Sequence, residues 1–129
     1  MRKWLSLVGH ATAGWVVCGA TIAIARQLGS MGTALLIHAV VAPLAFALLT
    51  WHYFRQYPDS TPAPMAMAMF LAVAGLDALV VAPLIEHSYA MFSSVPGTWI
   101  PFVSILAASY LAGWLHKKQS AVTEGGQVQ

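Results

Sequence analysis

The sequence predicts an all-α integral membrane protein: a four-helix bundle of antiparallel, up-down spans with both termini on the cytoplasmic side. Three observations lead there. Hydrophobic residues make up 59% of the 129 positions and charged residues only 8%, where soluble domains carry roughly 25% charged residues. Four apolar stretches of about the length of a bilayer crossing follow one another, at residues 4–25, 33–54, 64–85 and 98–115. Basic residues gather on one side of them.

Each stretch approaches the roughly 20 apolar residues that a helix needs to cross a hydrocarbon core of about 30 Å. The first, 4–25, follows Met1-Arg2-Lys3 and ends Ala23-Ile24-Ala25, a pattern shared with cleaved secretory signals. Its apolar part is longer than a signal core of about 7–15 residues, and more apolar segments follow, so a retained span is expected. The turn after it is read in Gln27-Leu28-Gly29-Ser30-Met31-Gly32, the next in Gln56-Tyr57-Pro58-Asp59-Ser60-Thr61-Pro62, and the last in Ser93-Ser94-Val95-Pro96-Gly97. Short connections make successive helices antiparallel neighbours. The end, 119–129, lacks apolar periodicity and contains Gly125-Gly126, and is read as a flexible cytoplasmic tail.

Arg2, Lys3, Arg55, Lys117 and Lys118 fall on one side of these spans and Arg26 on the other, which places both termini inside. Trp4, Trp51, Tyr53, Tyr57, Trp99 and Trp114 sit near span ends, where amphipathic rings anchor in the headgroup layer. The net charge of +2 is too small and too scattered for a nucleic-acid footprint. The single cysteine, Cys18, rules out an intramolecular disulfide and cysteine-paired zinc sites.

Val40-Val41-Ala42-Pro43-Leu44 recurs as Val80-Val81-Ala82-Pro83-Leu84 in consecutive spans. Inverted repeats with interrupted helices mark many transporter sites, but the match stops at five common membrane residues. Each proline lacks an N–H and crowds the preceding turn, so bends are expected, with the carbonyls of Ala39 and Leu79 losing their usual partners. Small residues, Gly9, Ala13 and Cys18 in the first span and Ala68, Ala72 and Gly75 in the third, offer faces for close packing in the bundle or in a homodimer.

Asp77 is the residue most suggestive of function. It lies mid-span, where an aspartate costs roughly 2.5–3.5 kcal/mol to insert, and must face the bundle interior or water. With no Lys or Arg at its depth, a protonated carboxyl donating to a neighbouring acceptor is expected, and Ser104, Thr12 and Trp15 are the structural partners in reach. Glu86 falls in the outer headgroup layer with Arg26 as counter-charge, or reaches a cation together with His38.

The chain has five histidines. His38 and His52 share a helix face about 21 Å apart along the axis, the stacking seen in dihaem membrane cytochromes b. A haem b reading would pair His10 with His52 and His87 with His38; interfacial or hydrogen-bonded histidines are the commoner arrangement. The methionines Met65, Met67 and Met69 suggest Cu(I), which thioethers suit, yet alternate positions fan around a helix and favour gap filling. Without a nucleophile triad, a phosphate loop or a metalloprotease motif, an enzyme is not expected.

His38-Ala39-Val40-Val41-Ala42-Pro43, Tyr53-Phe54, Asp77, Glu86 with Ser88, Met91-Phe92 and Gly97-Thr98-Trp99-Ile100-Pro101-Phe102 resemble a family of small four-span bacterial inner-membrane proteins described only as hypothetical. The resemblance implies a bacterial inner membrane and transfers no activity. It singles out Asp77, His38 and Glu86 and does not require histidine at 10, 52 or 87. Size and layout also resemble small multidrug transporters, whose carboxylate however lies in the first span. The sequence therefore points to a polar site at Asp77, His38 and Glu86 for a proton, cation or small solute. The alternatives are a haem b electron carrier and an accessory protein packed against larger membrane partners.

Overall fold

A computed structural model describes the backbone of residues 1–85, 87–93 and 98–128, and the side chains of these except 91 and 126–128. Helix α1 runs Arg2–Leu28, α2 Met31–Gln56, α3 Pro62–Leu76 and α4 Ile100–Val128. The third helix continues without a break into a π-helical segment, Asp77–Ile85, and a short 3₁₀ turn, Ala90–Ser93, follows. Among the described residues there is no strand. Three helices, Arg2–Leu28, Met31–Gln56 and Pro62–Ile85, are long and apolar enough to cross a membrane. The fourth carries Ser104, Ser109, Tyr110 and His116-Lys117-Lys118, and is less uniformly apolar.

The helix ends follow local chemistry. Ser30 caps α2, its hydroxyl accepting from the Thr33 N–H at 3.2 Å, which supplies one of the donors a helix N-terminus leaves open. Pro62 opens α3 in the first turn, where a missing N–H costs nothing. Helix α4 does not stop at the lysines. It continues through Val128, so residues 119–128, read from the sequence as a flexible tail, are wound as helix.

The two copies of the Val-Val-Ala-Pro-Leu sequence wind differently. Pro43 sits inside a continuous α-helix, whereas Pro83 lies in the π segment. In the wider i→i+5 pairing the Leu79 carbonyl faces the Leu84 N–H rather than the nitrogen of Pro83, which relieves the loss expected there.

Helix α2 packs against both α1 and α4, and α3 against α4 and α1. Phe46 and Phe54 are fully buried in the core, as are Met69 and Ile105. Two glycines make this packing possible. A Cβ at Gly14 would lie 2.5 Å from the ring tip of Phe46, and one at Gly113 would lie 2.8 Å from the Phe54 ring. Of the small residues singled out in the sequence, Cys18 is buried in the core and Ala68 and Ala72 pack against it, while Gly9 and Gly75 have nothing within 4 Å of an added Cβ. Close approach requires a large residue on the facing helix, which a list of small residues does not reveal.

Candidate functional site

Asp77 occupies the point where α3 changes winding. As the C-cap of α3 it still has helical dihedrals, and its N–H is shared between the carbonyls of Val73 and Ala74. Short π segments inside α-helices are frequent at functional sites because the wider turn re-aims side chains. Here the carboxylate meets α1: the Trp15 indole N–H donates to Asp77 Oδ1 at 2.8 Å. Of the partners considered from sequence, Trp15 is the one bonded, with Asp77 accepting where it was expected to donate because an indole N–H can only donate, while Ser104 donates to the carbonyl of Ile100 in its own helix.

The Trp15–Asp77 pair borders a cavity of about 690 Å³ formed by α1, α2, the α3–π helix and the start of α4. Val16, Ile22, Leu35, Val73, Phe102 and Ile105 contribute apolar wall, and Arg26 and Met31 line the part next to the α1–α2 connection. From Trp15 to Arg26 is about 16 Å along α1 at 1.5 Å per residue, so the cavity runs lengthwise with a carboxylate and an arginine at different heights.

His38 lines the same cavity from α2. It is 6% exposed, and its Nδ1 has no hydrogen-bond partner among the described residues. A buried polar atom without a partner costs about 1–3 kcal/mol, and a guest that offers one recovers that cost. Two of the residues selected from sequence, Asp77 and His38, therefore share one chamber. The third, Glu86, lies outside the described residues. Sequence reasoning missed Arg26 as part of the cavity wall and Trp15 as more than a structural partner. The spacing of Arg26 and Trp15 along α1 carries no motif that would have marked them.

The four histidines of the haem alternative do not form two facing pairs. His10 Nε2 and His52 Nδ1 are hydrogen-bonded at 2.9 Å, shorter than the separation of about 4 Å set by two metal–nitrogen bonds on opposite faces of a macrocycle. His87, exposed and with a positive φ of 52°, does not line the cavity that contains His38. Met65 and Met69 are buried while Met67 is exposed, so the alternate methionines do not converge. No cluster of three or more His, Cys, Asp or Glu occurs among the described residues.

Comparison of the chain with protein families, with curated proteins and with solved structures finds no match in any of the three.

Proposed function

We propose that the chain is a non-enzymatic, multi-pass membrane protein that binds or moves a proton, a cation or a small solute at the Asp77 chamber. The observation that carries this reading is the union of three features. An intramembrane carboxylate held by Trp15, a buried histidine with an unpartnered nitrogen and a cavity of about 690 Å³ occur at one place. A carboxylate within a membrane helix is expensive, and its usual return is function.

The apolar walls favour a guest with an apolar body. The carboxylate oxygen not bonded to Trp15 accepts hydrogen bonds, so the guest head is a donor, and a protonated amine satisfies it best. The proposal includes a fourth crossing by α4, an antiparallel up-down order, both termini cytoplasmic and residence in a bacterial inner membrane, alone, as a homodimer or in a larger membrane complex. The hydroxyl of Tyr53, late in α2, reaches the carbonyl of Lys3, early in α1, at 3.5 Å, and supports the antiparallel order of that pair. Five of six basic residues on one side support the orientation.

The test uses Asp77→Asn, which keeps shape and an acceptor for Trp15 but cannot ionise. Binding of 1-aminoadamantane, a protonated amine on an apolar body, to detergent-purified protein, and proton flux into dye-loaded proteoliposomes, are expected to lose their pH dependence while the helical content stays unchanged. A folded variant with unaltered pH dependence in both assays rules the reading out.

A further inference from the structure

The Asp77 chamber carries opposite charges at different heights. Among the described residues that line it, Asp77 is the one acid and Arg26 the one fixed cation. Trp15, which holds Asp77, lies about 16 Å from Arg26 along α1. His38 falls between them. The bonds of His52 to His10 and of Tyr53 to Lys3 set late α2 beside early α1, so heights on both helices can be counted from their shared connection. Counted that way, Arg26 is about 3 Å down α1 from Leu28, His38 about 10 Å down α2 from Met31, and Trp15 about 20 Å down α1. The group at the middle height is thus the buried histidine whose Nδ1 has no partner among the described residues.

We infer, on the reading of the Asp77 chamber as a binding site, that it takes a short apolar peptide of three or four residues with free termini. The ammonium lies at Asp77, a middle amide at His38 and the carboxylate at Arg26. Extended chain covers at most about 3.3–3.6 Å per residue, so three or four residues span about 10–14 Å. The Arg26 side chain, which lines the cavity, takes up the rest of the distance.

Each part of such a guest meets a complementary group. The ammonium offers three donors, and the Asp77 oxygen not bonded to Trp15 accepts. The carboxylate matches the planar fork of a guanidinium, which takes it through two parallel bonds. Arg26 is exposed, so the C-terminus stays next to water, while the terminal charge that goes deeper is the one met by a carboxylate. The middle amide distinguishes a peptide from an aminoalkyl acid of equal length. An amide presents both an N–H and a carbonyl, so it satisfies His38 Nδ1 in either tautomer, whereas an alkyl chain offers that nitrogen nothing. Ile22, Leu35, Val73, Phe102 and Ile105 provide the apolar wall for the peptide's side chains.

The experiment is equilibrium dialysis of radiolabelled Leu-Leu-Leu against the full chain in detergent, with uptake by protein-free micelles subtracted. One peptide per chain is expected, bound at least tenfold more tightly than its C-terminal amide. Arg26→Gln should erase that preference and leave 1-aminoadamantane binding unchanged, and because Arg26 is exposed the variant keeps the fold. His38→Leu should weaken Leu-Leu-Leu at least fivefold and leave 8-aminooctanoate, which has both charges and no amide, as it was. Equal binding of the free and amidated peptides, a preference that survives Arg26→Gln, or unweakened Leu-Leu-Leu binding in His38→Leu overturns the inference. If 1-aminoadamantane then still binds in a pH-dependent way, the reading of the Asp77 chamber stands without it; a folded Asp77→Asn protein with unaltered pH dependence removes both.

Discussion

The bundle is built to two different standards. Around Phe46 and Phe54, rings fill glycine notches so closely that a single methyl group has no place. Around Trp15, Asp77 and His38, the same helices diverge around about 690 Å³ of cavity. Apolar residues line both regions, so hydrophobicity does not distinguish them. The difference lies in complementarity of shape, which in lipid is the main source of helix association because the tails outside are as apolar as the side chains within. The packed half holds the helices together, and the other half can then remain open.

The largest effect should come from breaking the packed half. Phe46→Ala removes a ring with no exposure, and the void it leaves should cost about 2–3 kcal/mol in detergent unfolding. That is below the range for soluble cores because lipid or detergent replaces water as the reference. A glycine pair sharpens the comparison. Gly14→Ala places a methyl against Phe46 and should cost about 1–2 kcal/mol, whereas Gly19→Ala, on the cavity wall with nothing within 4 Å, should stay within about 0.5 kcal/mol. Equal losses measured for the two would erase the distinction. The smallest effect on stability is expected from Val81→Phe, which projects a ring into the chamber. Its unfolding midpoint should match the parent's, while 1-aminoadamantane binding should fall at least tenfold.

The helices were legible because span length is a physical constant of the bilayer. The structure starts and ends α1 and α2 within three residues of the spans expected, at Arg2–Leu28 and Met31–Gln56. Asp77 was legible for the same reason, since a carboxylate at mid-span has few places to go, and Trp15 was among them. His38 was grouped with it by the resemblance, and the cavity is what places the two in one chamber. The winding at Pro83 was not legible: the pentapeptide around it is identical to the one around Pro43, so the choice between α and π rests on what surrounds the segment. Depth also brought His10 and His52 together, but depth has no angular resolution and could not distinguish rings that bond each other from rings that flank a guest. The helical extension of α4 through Val128 was missed because Gly125-Gly126 reads as a breaker locally.

The π segment that begins at Asp77 spends residues faster than it gains length, because each turn holds more of the chain for nearly the same advance. It therefore works as a take-up reel. One residue gained or lost between 77 and 85 can be absorbed by tightening or loosening the winding, leaving the register of Pro62–Leu76 against α1 and α4 untouched. Asp77 sits at the fixed edge of that reel, so a change of winding beyond it moves Val81 and Ile85 on the cavity wall and leaves the bond to Trp15 in place.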